Sequence, residues 1–212
     1  DEIDQAVGSR STASGDSGVS GRMFGKILEF MGDNANRGDV IWVGATNRAD
    51  LLDDAMIRRF DRIIPVLLPG SGGEWEQIIN GILRQMKGEA AAGAVKGFVD
   101  ANLEVMRRNQ SGSSMEMVVR AAYQQAMQRG GGGNQVTLDD LNNAFNNFKS
   151  NFNRRVYQLQ TLLAIAACNE ISFIRPPDDS YSYGEKEIDE AVIQALQYKA
   201  NWPLDEHIDK LR

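Results

Sequence analysis

The chain has 212 residues, with 23 basic and 29 acidic side chains and a formal net charge of −6. Nucleic-acid binders need a basic surface, so we expect no nucleic-acid partner. A single cysteine and a single histidine exclude an intrachain disulfide framework and leave little material for a zinc site. This composition favours a reducing compartment, and we expect the cytoplasm. The longest apolar run, at 161–168, is too short to span a bilayer.

The start of the chain is acidic and lacks an initiator methionine, so we expect a piece of a longer protein. A loop rich in Ser and Gly follows at 7–21. Apolar residues then recur at helical spacing over 22–31, which predicts a helix. Short apolar runs at 40–44 and 63–68 predict β-strands, with a short helix at 51–60 between them.

Helices dominate the chain after residue 70. Four are predicted within 71–149, where apolar residues recur at steps of three and four. Ser113 with Glu116 and Thr137 with Asp140 have the spacing of capping boxes and predict helix starts. Two further helices are expected at 152–168 and at about 185–199, separated by a Pro-Pro loop.

Three groups of side chains are candidates for chemistry. Asp1 and Glu2 could hold Mg²⁺ through water and polarise an attacking water, although two carboxylates also suit a solvated acidic terminus. Asn47 follows a predicted strand, where its amide could hold a water or a phosphate oxygen or simply form a turn. Arg58 and Arg59 could serve a neighbouring subunit's nucleotide, or could form a solvated helix end.

In this order and spacing, the segments resemble the second half of an AAA+ ATPase module of the AAA subgroup. The resemblance covers about residues 1–149 and rests on the acidic start, the Ser/Gly loop, Gly44-Ala45-Thr46-Asn47 and Arg59-Phe60-Asp61-Arg62. The resemblance implies that Asp1 and Glu2 end the Walker B motif, with Asp1 holding Mg²⁺ through water, and that Asn47 is the sensor-1 residue. It also implies that Arg59 is the arginine finger and Arg58 a second finger. By the same resemblance, Ser111 and Gly112 pass close to the adenine, and the loop at 7–21 faces the central pore.

The resemblance also implies the fold class, which is α/β followed by all-α. It divides the chain into the C-terminal part of a P-loop-type α/β nucleotide-binding core (1–70), a four-helix lid (71–149) and a helical C-terminal extension (150–212). The implied activity is ATP hydrolysis with Mg²⁺ in a homo-oligomer, a hexameric ring that remodels, disassembles or unfolds a protein client. The alternative is an assembly or scaffold protein with a degenerate nucleotide site, which acts through its helices.

The chain departs from the family pattern in two ways. Arg58 and Arg59 are adjacent where the family has two more residues between the arginines, and the phosphate-binding motif Gly-x-x-x-x-Gly-Lys followed by Ser or Thr occurs nowhere. In the family's sheet, the strand before that motif lies between the two strands expected here at 40–44 and 63–68. We therefore predict that residues 1–70 alone neither form the native sheet nor hold ATP.

The extension at 150–212 has two interpretations. It forms a helical cap on the lid or on a neighbouring subunit, or it docks a partner through Tyr181, Tyr183 and Trp202. The first is preferred. The arginine pairs at 107–108 and 154–155 are expected to be exposed charges at helix ends.

Overall fold

The computed structural model describes residues 2–6, 19–33, 35, 39–52, 54–129, 135–197 and 204–211. The chain divides into two compact units. The first comprises Asp1–Pro65, Gln158–Phe173 and Pro203–Arg212, and the second comprises Val66–Tyr157 and Ile174–Trp202. The functional division at residues 70 and 149 stays a prediction.

The first unit is built from short helices. Its elements within residues 2–60 are α1 (Ile3–Ala6), α2 (Val19–Gly32), a 3-10 turn (Ala49–Leu51) and α3 (Asp54–Ile57), and the later helical segments at 158–167 and 204–211 also belong to it. The helix predicted over 22–31 is confirmed within α2, whereas the helix predicted over 51–60 is reduced to the turn and the single turn of α3. A small core joins these elements through Leu28 and Met56, and Ile3, Ala55 and Phe60 pack against it.

The two strands predicted at 40–44 and 63–68 do not form, because no β-ladder includes either segment in the described part of the chain. Ile41 and Val43 are 89% and 86% exposed, although both are strongly apolar. A strand is stable only when its backbone groups pair with a neighbour. The strand that the family resemblance places between these two segments is absent from the sequence, which explains why the prediction fails here.

The second unit contains all four helices predicted within 71–149. They are α4 (Gly72–Gln85), α5 (Ala94–Asn109), α6 (Gly112–Gln128) and α7 (Leu138–Asn147). Two short strands, β1 (Glu89–Ala90) and β2 (Gln135–Val136), pair in parallel with Glu89 opposite Gln135.

Capping boxes define where three of these helices begin. Ser71 and Glu74 form the box of α4, and Thr137 and Asp140 form the predicted box of α7. The box of α6 uses Ser111 and Ser114, two residues earlier than predicted from Ser113 and Glu116. Ser114 replaces the expected glutamate because its hydroxyl also accepts a hydrogen bond from the N-cap amide.

A continuous apolar core holds the four helices together. Its largest members have almost no contact with solvent, and every helix contributes to it. The fully buried apolar residues of this core include Trp75, Ile79, Phe98, Val99, Met106, Met115, Val118, Val119, Ala122 and Leu141.

The described residues after α7 form three α-helices: α8 (Arg154–Ala167), α9 (Lys186–Gln197) and α10 (Leu204–Leu211). The chain passes from the second unit to the first within α8, at Gln158. Tyr181 and Tyr183 are 4% and 2% exposed inside the second unit, so the idea that they are exposed docking anchors is wrong. Trp202 lies outside the described residues. None of the described helices has the length and apolar character that crossing a membrane requires.

Candidate functional site

Hydrogen bonds in the first unit join the start of the chain to the segment that ends in Asn47. The amide of Ile3 donates to the carbonyl oxygen of Ala45 over 3.1 Å. One residue further along each segment, the hydroxyl of Thr46 donates to the Asp4 carboxylate. The segments that carry Glu2 and Asn47 are therefore neighbours, although they are more than forty residues apart in the sequence.

Close packing at Gly44 supports this contact. A Cβ atom added to Gly44 would lie 2.9 Å from Ile3 Cδ1 and 3.2 Å from Phe60 Cζ, so a larger residue would displace both side chains. Glu2 itself has a φ angle of 51°, in the left-handed region that non-glycine residues seldom adopt. Such conformations persist where surrounding structure imposes them and are concentrated at functional sites.

Asp4 and Thr46 are site residues that sequence reasoning missed. Asp4 is 7% exposed, and its carboxylate accepts from Thr46, whose hydroxyl oxygen in turn accepts from the Arg48 amide over 2.9 Å. The two residues stand on separate segments, so no local spacing pointed to the pair. The available signal was the position of Asp4 within the acidic start, together with a hydroxyl residue at the end of an apolar run.

Asn47 is exposed, and its side chain makes no hydrogen bond among the residues that the structure describes. The next residue, Arg48, forms a two-point ion pair with Asp50, at 2.9 and 2.8 Å, and Gln160 donates to Asp50 over 2.7 Å. The bond from Arg48 lowers the pKa of the Asp50 carboxyl, and the bond from Gln160 acts in the same direction. Arg48 is thereby held to one side, and the Asn47 amide stays accessible to a ligand.

The two predicted finger arginines differ in their surroundings. Arg59 donates from Nε to the carbonyl oxygen of Leu28 over 3.0 Å and from Nη1 to that of Ala55 over 2.7 Å, so it bridges α2 and α3. Arg58 is exposed, and its guanidinium has no partner among the described residues. Both border a cavity of about 520 Å³ that Phe30 also lines. Of the two, Arg59 is therefore held by its own unit, and Arg58 is not held by any of the described residues.

The predicted adenine contacts lie in the second unit, at the connection between α5 and α6. Ser111 is the N-cap of α6, where its hydroxyl oxygen accepts from the Ser114 amide over 3.2 Å. Gly112 is exposed, and a Cβ at this position would meet nothing within 4 Å. The backbone there is accessible to a planar ligand, as a backbone contact to a base requires.

The described residues do not form a metal centre by themselves. No group of three or more His, Cys, Asp or Glu side chains is placed to hold an ion within the described ranges. Asp1, the predicted Mg²⁺ ligand, lies outside them, as do most residues of the predicted pore loop at 7–21.

Comparison with known sequences identifies the class of protein. The model of the family described as "ATPase family associated with various cellular activities (AAA)" matches residues 1–68, which contain the joined segments and both arginines. Residues 1–68 are thus similar to the AAA ATPases, and the resemblance inferred from the motifs is confirmed.

The similarity to individual AAA proteins extends into the second unit. The chain is 31% identical over 131 residues to the vesicle-fusing ATPase of Dictyostelium discoideum, an alignment that covers 61% of this chain and 17% of that protein. It is 37% identical over 153 residues to the proteasome-activating nucleotidase of Saccharolobus islandicus, covering 68% and 35%. The chain thus spans well under half the length of these relatives. No solved structure is significantly similar to it.

Proposed function

We propose that the protein to which this chain belongs is an oligomeric ATPase that couples ATP hydrolysis to the remodelling, disassembly or unfolding of a protein client. The relatives' names support this proposal, since they describe a vesicle-fusing ATPase and a proteasome-activating nucleotidase. We further propose a homohexameric ring and a cytoplasmic location. ATP with Mg²⁺ is the proposed substrate, and Asp1 is the proposed Mg²⁺ ligand through water.

The observation that carries the proposal is the hydrogen bond between Ile3 and Ala45. It makes neighbours of a segment that offers a carboxylate, at Glu2, and a segment that offers a neutral amide, at Asn47. A carboxylate can accept a proton from an attacking water, and an amide can orient that water or a phosphate oxygen. In the proposed ring, a guanidinium from the neighbouring copy stabilises the charge that develops on the transferred phosphoryl group.

Replacement of Glu2 tests the proposed hydrolysis. In the protein with an intact phosphate-binding loop, Glu2→Gln should reduce ATP turnover to background and leave ATP affinity nearly unchanged, because only the proton acceptor is lost. Turnover is measured by phosphate release and affinity by titration calorimetry. Glu29→Gln, an exposed carboxylate on α2, is the matched control and should retain full activity. Normal turnover in Glu2→Gln would remove the proposed assignment.

The two arginines can be separated by the same assay. A finger is worth about 10³-fold or more in turnover, so Arg58→Ala and Arg59→Ala should both lose activity if both act as fingers. Arg59→Ala also removes the bonds to Leu28 and Ala55, so it should lower the unfolding midpoint, whereas Arg58→Ala should not. Full turnover in both variants would contradict a role for this segment in catalysis.

A second candidate is an AAA-like scaffold with a degenerate nucleotide site. Two observations favour it. The finger segment is shorter than in the family, and Arg59, the proposed main finger, is engaged with two carbonyl groups of its own unit. A scaffold should form the same oligomer with and without ATP and should hydrolyse none. Sedimentation analysis of the oligomer with and without nucleotide distinguishes the two candidates.

A further inference from the structure

Gly70, two residues before α4, is held by parts of the chain that are remote in sequence. The carbonyl oxygen of Gly70 accepts from Arg107 Nε over 2.8 Å and from the Ser182 amide over 3.2 Å. The Tyr181 ring lies so close to Gly70 that an added Cβ would overlap its Cε1 atom. Gly70 is therefore clamped by the end of α5 and by a segment more than a hundred residues further along.

Arg107 is the centre of this arrangement. It is 7% exposed, although it was expected to be a solvated charge at a helix end, and that expectation is wrong. Its Nη2 donates to the carbonyl oxygen of Ser180 over 3.1 Å and its Nη1 to Glu104 over 2.8 Å. A buried guanidinium is costly unless its donors are satisfied, and each of its three nitrogens has a partner here.

We name residues 175–184 the C-terminal strap. The strap is ordered by its own contacts: Asp178 and Tyr181 exchange backbone hydrogen bonds of 2.9 and 3.0 Å, and the Tyr183 hydroxyl donates to the Arg175 carbonyl oxygen over 3.0 Å. The Asp189 carboxylate of α9 accepts from the Tyr183 amide over 2.8 Å. The strap is thus a shaped surface that fits against Arg107 rather than a loose tail.

The fit is close on the side of the strap that faces α5. Gly184 has a φ angle of +77°, and a Cβ there would lie 2.8 Å from Arg107 Cβ and 3.0 Å from its carbonyl oxygen. Glycine is required both for the backbone conformation and for the approach. Arg107 therefore contacts the strap through its guanidinium and through its backbone.

The connection between α5 and α6 begins only three residues after Arg107. It consists of Gln110 and Ser111 alone, because α5 ends at Asn109 and α6 begins at Gly112. Gln110 is 4% exposed, and its Oε1 accepts from the Ser114 hydroxyl over 2.6 Å. A short connection with a buried, hydrogen-bonded member transmits the position of the α5 end directly to Ser111 and Gly112.

We propose that Arg107 is a positioning residue, which ties the C-terminal strap and Gly70 to the last turn of α5 and so fixes Ser111 and Gly112 for contact with the nucleotide. The inference rests on the proposed function, because that function makes Ser111 and Gly112 nucleotide contacts. It assigns the strap a part in nucleotide affinity. Neither the strap nor Arg107 touches the reacting phosphate in this proposal.

The experiment compares Arg107→Met with Arg108→Met. Arg108 is the neighbouring, exposed arginine of the same helical turn, so its replacement removes the same charge without touching the strap. In the ATPase assay of the protein with its phosphate-binding loop, Arg107→Met should raise KM for ATP about tenfold and change kcat less than about twofold, since affinity rather than chemistry is affected. Arg107→Lys should recover part of this loss, and Arg108→Met should match the parent.

A second readout, independent of ATP, is amide hydrogen exchange of the 212-residue chain. Arg107→Met should speed exchange at 110–114, and Arg108→Met should not. Where Arg107→Met does not fold, Gly184→Ala displaces the strap with the guanidinium intact and should give the same two changes.

Three results would overturn the inference. Unchanged exchange at 110–114 would mean that the strap does not fix the connection. Faster exchange with an unchanged KM would mean that the connection does not contact the nucleotide. A tenfold fall in kcat with KM unchanged would mean that Arg107 acts on the chemical step rather than on nucleotide affinity.

Absence of ATP binding in the parent protein would instead defeat the proposed function itself, and this result is separate because no variant is needed to see it.

Discussion

The two units differ in how completely they bury their apolar residues. In the second unit, the apolar faces of four helices meet in one core whose main members are fully buried. In the first unit, the buried apolar cluster around α2 and α3 consists of Leu28 and Met56, and Ile41 and Val43 remain exposed. The first unit also buries Leu162, Ile165 and Ile208 on α8 and α10. The contrast shows that apolar character alone does not bury a segment.

The difference follows from where each element finds its partners. A helix satisfies its backbone within itself, so helices need only apolar faces to pack, and the second unit supplies all of these within about eighty residues. A strand satisfies its backbone only through other strands. The segment at 40–44 has the composition of a buried strand but no adjacent strand within the described residues. The second unit should therefore behave as an independent folding unit, and the first should depend on further sequence.

The largest effect is expected when a buried phenylalanine of the second unit and an exposed one of the first unit are each replaced by alanine. Phe98 is 0% exposed and packs edge-to-face on Phe145 with the ring centroids 5.4 Å apart. Phe98→Ala should lower the free energy of unfolding by about 3–5 kcal/mol. Phe173, which is 63% exposed in the first unit, is the control, and Phe173→Ala should change it by less than about 0.5 kcal/mol. Urea denaturation followed by circular dichroism measures both, and equal losses would contradict the contrast.

A smaller effect is expected at a helix start in the second unit. The Thr137 hydroxyl oxygen accepts from the Asp140 amide, and the Asp140 carboxylate accepts from the Thr137 amide over 2.8 Å. Thr137→Ala should cost about 1 kcal/mol in the same denaturation experiment, because one helical amide loses its acceptor. Asn146→Ala, on the exposed face of the same helix, should cost little. A null result at Thr137 would mean that packing alone fixes the start of α7.

Local patterns predicted the helical unit well because its determinants are local. Apolar spacing identified its four helices, and the Thr137 and Asp140 pair marked a helix start correctly. The burial of Arg107 could not be predicted, since its partners Gly70 and Ser180 are distant in sequence. The docking interpretation of Tyr181 and Tyr183, which was not the preferred one, fails for the same reason: aromatic side chains in a polar, proline-containing segment resemble exposed anchors until the surface that covers them is known.

The candidate site shows a similar limit. Motif order predicted Glu2 and Asn47 as one site, and the Ile3 to Ala45 bond does join their segments. The Asp4 to Thr46 bond was not predictable, because pairing across forty residues has no local signature. The different environments of Arg58 and Arg59 also depend on tertiary contacts, since only the packing of α2 beside α3 brings the Leu28 carbonyl within reach of Arg59.

The last expected effect concerns pH and arises from two tyrosines of the second unit. Burial raises the pKa of Tyr183 and also that of Tyr181, both in the second unit. A raised pKa in the folded state means that the stabilisation is complete below the unfolded value near pH 10 and is lost as the pH rises further. The contribution of the two tyrosines to the unfolding midpoint should therefore be constant from pH 8 to 9.5 and should fall above pH 10.

Tyr183→Phe isolates the part of this alkaline loss of stability that comes from ionisation of the Tyr183 hydroxyl. The variant keeps the ring contact with Tyr181, whose centroid is 5.2 Å away, and loses only the hydroxyl that donates to Arg175. It should be slightly less stable than the parent at pH 8, because a hydrogen bond is missing, and its decline above pH 10 should be shallower. A decline as steep as the parent's would mean that groups other than Tyr183 cause the alkaline loss.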